Sequence, residues 1–249
     1  MIEFIDANCM VGRRVAPREG SLCTTEEILN SMDNCGISQT LCYHSIARES
    51  NVSYGNYTLK QVCADTDRFL HQWVVLPNVW DEFMEPDVLM EEMKKENVKS
   101  VRMYPRSMGF SLKPYASGKL IKKLTECNVP IFVDYGQISS AEEVYNMCQE
   151  YPDTIFVICE PGYRCVRNMI PVLMSCPKLY LESSSFVVNN GVQKFCETVG
   201  ADRMIFGSGF PNGSLAAAAS MIRYADISEE EKSLIASGNI KRLLGEVAL

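Results

Sequence analysis

Short runs of apolar, β-prone residues recur along the chain at residues 3–8, 40–45, 73–78, 100–105, 130–135, 154–160, 178–184 and 204–208. Each has the length of a strand, and the segments between them carry the spacing of amphipathic helices. Two of those segments open on helix-start signals, a hydroxyl followed three residues later by glutamate: Thr24 with Glu27, and Ser140 with Glu143. Strand, helix, strand in this order predicts consecutive βαβ units on a parallel sheet. Eight units in 249 residues average about 31 residues each, which suits a closed (β/α)8 barrel. An open doubly wound sheet is the competing arrangement, but the turn after the first strand reads DANCMVG and lacks the G-x-G-x-x-G that such a sheet uses to seat a phosphate. No Pro-, Ser- or Gly-rich stretch interrupts the series, so residues 1–249 are expected to form one barrel domain.

In a barrel the chemistry sits where the strands end, and alternation decides which side chains reach it. In Ser100-Val101-Arg102-Met103-Tyr104, the apolar Val101 and Met103 suit the layer beneath the helices, which aims Arg102 and Tyr104 at the axis. In Lys178-Leu179-Tyr180-Leu181-Glu182, Leu179 and Leu181 face the helices, and Tyr180 and Glu182 face in. A shift of one residue would invert this reading.

Composition narrows the partners. A net charge of −7 and a pI near 5.0 argue against a nucleic-acid surface, which needs a basic face. The pairs Lys94-Lys95 and Lys122-Lys123 fall within helical patterns and read as solvated faces. Neither a basic leader nor a long apolar run is apparent, so a cytoplasmic protein without a membrane partner is expected. Eleven cysteines without C-x-x-C pairing read as free, buried thiols.

Particular motifs go further. Ile5-Asp6-Ala7-Asn8-Cys9-Met10-Val11-Gly12 resembles the I-D-x-H-x-H-x-G that opens the amidohydrolase superfamily. Gly200-Ala201-Asp202-Arg203-Met204-Ile205-Phe206-Gly207-Ser208-Gly209-Phe210-Pro211 resembles its closing G-x-D-R-hydrophobic-F-G-S-D-hydrophobic-P. Residues 129–136, 154–162 and 238–244 resemble its fifth strand, its sixth strand and its last helix. The branch this resemblance suggests contains metal-dependent hydrolases and decarboxylases of aromatic-type acids. Their metal is held by paired first-strand histidines, further histidines on the fifth and sixth strands, and a last-strand aspartate. A homodimer is the assembly such barrels commonly adopt.

At the matching positions this chain has Asn8, Met10, Asp134, Glu160 and Gly209. Asn8 is a weak ligand, Met10 prefers soft ions, and Gly209 has no side chain. Of the two histidines, His44 ends the second strand, whereas His71 precedes the third. The expectation is therefore no zinc and no resident cofactor, with a small polar molecule bound in the barrel mouth. The candidate residues are Asn8, His44, Arg102, Tyr104, Asp134, Glu160 and Glu182, with Asp6 and Ser184 beside them. Asp134 and Glu160 end adjacent strands, and such a carboxylate pair suits a hard cation such as Mg²⁺ or Ca²⁺, acid–base work, or a cationic or polyhydroxy ligand. Each has a plainer reading. Asp6 would bond nearby backbone, Arg102 would neutralise Asp134 or Glu160, and Tyr104 and Tyr180 would be core aromatics with bonded hydroxyls. Cys9, Cys42 and Cys159 would be small hydrophobes. The polar stretch 48–57 reads as an exposed loop or a lid. Two functions stay open: a barrel without metal chemistry that binds a small polar ligand or a protein, and a divergent hydrolase or lyase using Asp134, Glu160, His44 and Arg102, metal-free or with a hard ion. A conventional zinc hydrolase would need substitute ligands.

Overall fold

The computed structural model describes residues 2–17, 20–64 and 66–249. Among these residues nine strand segments, all paired in parallel, run in chain order around one axis: β1 (Phe4–Val11), β2 (Ile37–His44), β3 (Phe69–His71), β4 (Trp73–Val74), β5 (Val101–Met103), β6 (Ile131–Asp134), β7 (Phe156–Cys159), β8 (Leu179–Glu182) and β9 (Met204–Ile205). β3 pairs with β2, and β4 with β5. The backbone N–H of Gln72 between them still donates to Cys42 O at 2.9 Å, so the two segments are one stave. The ring closes where Ala7 N donates to Phe206 O (3.0 Å) and Met10 N donates to Phe210 O (2.8 Å). Eight staves and their crossover helices make a (β/α)8 barrel.

Alternation along each stave separates two apolar layers. Val101, Met103, Ile131, Val133, Leu179 and Leu181 lie in the large cluster beneath the helices. Ile5, Leu41, Phe132, Val157 and Tyr180 fill the barrel itself. The faces read from the sequence for β5 and β8 are thus the ones adopted. Ile240 and Leu243, on the helix Asn239–Gly245, join the inner cluster and close the barrel where its strands begin. The helix Thr25–Cys35 opens on a reciprocal capping box between Thr24 and Glu27, and Gly36 ends it at φ 66°, where a glycine meets little steric cost.

Two expectations need correction. The third stave begins near residue 69 and not at 73, so His71 lies inside β3; it is still at the starting end of the barrel, half-buried. Residues 48–57 are not a loop but fall largely in two helices, Ser45–Glu49 and Val52–Ala64. Their polar side chains serve the backbone: Asn51 Oδ1 accepts from Tyr54 N at 2.8 Å, and buried Asn56 exchanges two hydrogen bonds with Val74. On the buried face of the longer helix, Gly55 and Asn56 stand between Val52 and Leu59 and interrupt the apolar stripe that marks a helix in sequence. None of the eleven cysteines is exposed or paired. Among the described residues no helix is long and apolar enough to cross a membrane.

Candidate functional site

The site begins with an irregularity in β1. Asp6 pairs with Thr40 but Cys9 with Cys42, so β1 spends one residue more than β2 over this stretch. Such a bulge re-aims the side chains around it. Asp6 is buried and bonded on both oxygens: Oδ1 accepts from Asn8 N (3.0 Å) and Ser208 N (2.9 Å), and Oδ2 from the Ser208 hydroxyl (2.5 Å). It ties the first stave to the last. Burial nevertheless raises its pKa to about 6, against the lowering effect of those donors.

Asn8 then reaches the axis. Its Nδ2 donates to Glu182 Oε2 (3.0 Å) and the Ser184 hydroxyl (3.3 Å), while its Oδ1 accepts from Arg102 Nη1 (3.0 Å). Arg102 is wholly buried. It also donates from Nη1 to Gln72 Oε1 (3.4 Å) and from Nη2 to Asp134 Oδ1. Its guanidinium carbon lies 4.6 Å from the Tyr43 ring centroid and 5.7 Å from that of Tyr104, within cation–π range. Burial opposes the charge, but Asp134 and the tyrosines hold it protonated. Arg102 and Asp134 therefore form the internal ion pair that the sequence left as one of two alternatives.

Arg48 covers this group from the helix Ser45–Glu49. Its guanidinium sits 4.9 Å from the Tyr104 centroid, its Nη1 donates to Tyr43 OH at 3.3 Å, and its Nη2 lies 3.7 Å from Asp134 Oδ2. Among the described residues, three buried polar atoms here find no hydrogen-bond partner: Arg102 Nε, Tyr104 OH and Asp134 Oδ2. Tyr180, by contrast, has its hydroxyl bonded by Arg242 at 3.4 Å.

Glu182 gathers donors from three neighbours: Ser184 N (2.5 Å) and its hydroxyl (2.6 Å), Asn8 Nδ2, and Glu160 N (3.3 Å). Burial still lifts its carboxyl to about 7, with Asp6 adding to the rise. Space for Glu182 comes from Gly207, where a Cβ would stand 2.1 Å from Glu182 Oε1.

The remaining candidates stand apart. His44 ends β2 beside Val11, whereas its neighbour Tyr43 is the residue that faces Arg102. The imidazole Nδ1 accepts from Ile46 N at 3.1 Å and caps the following helix, packed so close to Gly12 that a Cβ there would be 2.5 Å from the ring. Glu160 adopts φ 51° and turns toward Glu182 and Gly209, while Asp134 turns to Arg102, so the two carboxylates do not share one partner. Cys42 and Cys159 have thiols raised by burial, in keeping with small hydrophobes. Among the described residues no three His, Cys, Asp or Glu side chains gather as a metal-binding group. Sequence reasoning missed Tyr43, Arg48 and Gln72. Alternation from Leu41 would have found Tyr43, but Gln72 was hidden by the late placement of its strand, and Arg48 by the loop reading.

A closed parallel barrel with its polar side chains collected at the strand ends is the architecture of the amidohydrolase fold. The chain belongs to the amidohydrolase family, whose sequence profile matches residues 36–245. No curated protein sequence matches it. Solved structures with the same fold include an uncharacterized TIM-barrel protein from Bordetella bronchiseptica, 18% identical with a TM-score of 0.75 over 98% of this chain and 99% of the other. A 2,6-dihydroxybenzoate decarboxylase from Rhizobium is 14% identical, with a TM-score of 0.70 over 98% of each chain. The 5-carboxyvanillate decarboxylase from Novosphingobium aromaticivorans, complexed with manganese and 4-hydroxy-3-methoxy-5-nitrobenzoic acid, is 13% identical, with a TM-score of 0.76 over 98% of this chain and 96% of the other.

Proposed function

We propose that this barrel binds a small polar molecule at its strand ends without the metal ion that the family resemblance implies there, and that Arg102 supplies the fixed positive charge in the metal's stead. The observation that supports this is the fully buried guanidinium joining Asn8 to Asp134, two positions at which the resemblance calls for metal-binding histidines. Both ends of the Asn8 amide are already bonded, Asp134 is neutralised by a side-chain cation, and Gly209 offers no donor. This set does not suit a divalent ion, which needs anionic or imidazole ligands free to converge.

The test is elemental analysis of protein purified without chelator, followed by a thermal-shift screen of small polar molecules with and without EDTA. The expected result is far less than one equivalent of metal and stabilisation by ligand that EDTA leaves unchanged. One equivalent of a transition metal, removed by EDTA with loss of ligand stabilisation, would overturn the proposal.

One observation favours a second reading, a divergent hydrolase or lyase. Glu182 has a pKa raised to about 7 by burial, which suits a group that both takes and gives a proton near neutrality. In that reading Glu182 carries the proton, since Asp134 is committed to Arg102 and His44 Nδ1 to a helix cap. Turnover that falls with Glu182→Gln and survives EDTA would support it.

A further inference from the structure

Arg48 occupies its place without satisfying it. It faces an aromatic ring, a phenol oxygen and a carboxylate, the surroundings that select a guanidinium or ammonium group. Yet its approach to Asp134 Oδ2 stops at 3.7 Å and its bond to Tyr43 OH is 3.3 Å, both long for a charge-assisted hydrogen bond, which closes to about 2.7–2.9 Å. Asp134 Oδ2 and Tyr104 OH, both buried, are left without partners on the side Arg48 covers. A buried acceptor with no donor is costly. The shortfall has a geometric cause: Arg48 is tethered to the short helix Ser45–Glu49, whose start is fixed by the His44 cap and whose last residue is held by Arg14 at 2.7 Å. A free cation carries no such tether.

Charge points the same way. The strand-end set holds four carboxyl groups, Asp6, Asp134, Glu160 and Glu182, against two guanidiniums, Arg48 and Arg102. Arg102 is buried beyond reach, while the Arg48 side chain is 21% exposed and is the member of its cluster that solvent touches. Removing Arg48 would leave Asp134 Oδ2, Tyr104 and Tyr43 facing outward with one positive charge to replace.

We propose that the ligand of this site is a small organic cation, a guanidinium or primary ammonium group, and that Arg48 is its built-in stand-in, swung aside when the ligand sits on Asp134 Oδ2 against Tyr43 and Tyr104. This rests on the metal-independent reading above and adds the ligand's charge and position. Because Arg48 competes from within the chain, its removal should tighten binding by the factor by which it holds the mouth shut.

The probe is methylguanidinium, titrated by calorimetry in EDTA into the wild type, Arg48→Ala, Arg48→Lys and Asp134→Asn, each checked by circular dichroism, with benzoate and glycerol in parallel. The expected outcome is saturable binding to the wild type and binding on the order of tenfold tighter to Arg48→Ala. Arg48→Lys should fall between them, and Asp134→Asn should show loss of binding. A crystal of the wild type soaked in the probe should show Arg48 turned away from Tyr104. Binding to Arg48→Ala alone, with none to the wild type, would make Arg48 a structural plug and overturn the proposal. If Arg48→Ala does not fold, equal affinity of the wild type and Arg48→Lys would overturn it as well. Binding of benzoate or glycerol but not the cation would sink the proposal and leave the metal-independent reading standing. Binding that appears only when a divalent metal replaces EDTA would sink that reading too.

Discussion

Replacing Arg102 by methionine keeps most of the side chain's length and deletes only its charge and its donors. Asp134 would then be 3% exposed, with no donor on Oδ1 and only the distant Arg48 near Oδ2. Breaking a buried ion pair from one side costs roughly 3–5 kcal/mol, because the surviving charge is left uncompensated. The carbonyl oxygens of Asn8 and Gln72 lose a donor as well, at 3.0 and 3.4 Å. For a chain of this size each kcal/mol moves the melting temperature by roughly 2–4 °C, so the variant should melt about 6–20 °C below the wild type. Exchanging both partners, Arg102→Met with Asp134→Leu, removes the stranded charge. Apolar replacement of a whole buried pair is often neutral, so the double variant should recover most of the loss. Urea denaturation followed by circular dichroism on the wild type, both single variants and the double gives the coupling energy, expected to exceed about 2 kcal/mol. A loss below about 1 kcal/mol in Arg102→Met, or a double variant no better than that single, would refute the view that this pair anchors the strand ends.

Three further outcomes follow from the same geometry. Asp6 and Glu182 have pKa values raised to about 6 and about 7, so the folded state holds protons that the unfolded chain releases. Their contribution to stability is full below about pH 4 and is lost as pH rises through 6 to 7, at no more than about 1.4 kcal/mol per pH unit for each group. Denaturation midpoints measured between pH 4.5 and 7.5 should show this decline, and Glu182→Gln should flatten it. Gly207→Ala drives a methyl into Glu182 Oε1, 2.1 Å away, and should destabilise the protein by about 1–3 kcal/mol in the same assay; an unchanged midpoint would mean that Glu182 is free to move. Tyr104→Phe deletes a buried hydroxyl without a partner and should raise stability by about 1 kcal/mol, whereas a fall of that size would reveal a bond to that hydroxyl.

The barrel was legible because its signals are local and repeated. Each apolar run needs only its own composition to be a strand, and the motif around Gly207 and Phe210 places the last stave. Alternation was enough to aim Arg102 and Glu182 inward, since Val101, Met103, Leu179 and Leu181 leave one face free in each strand. It was not carried through β2, where Leu41 and Tyr43 face in and His44 out, so of the site's two aromatic walls Tyr104 was read and Tyr43 was not. Arg48 was hidden for a different reason. Its helix, Ser45–Glu49, is only five residues long, too short to show the apolar stripe by which a helix is read in sequence. Which partner Arg102 would choose is a matter of side-chain direction across separate strands, and strand assignment alone cannot supply it. The left-handed backbone of Glu160, which turns that residue toward β8, leaves no mark in composition.

The bond from Asp6 to Ser208 joins residues 202 positions apart, and that from Asn8 to Glu182 joins residues 174 apart. Loops of that length close slowly, since nearly the whole chain must be ordered before such contacts form. During synthesis the first stave therefore waits, with an unpaired edge and a half-bonded aspartate, until the last has left the ribosome. The strand-end pocket is then among the final features to assemble, and Asp6 works as a latch on its completion. A chain stalled before residue 208 would present an open parallel edge and Asn8 without its partners, a species prone to stick to its own kind.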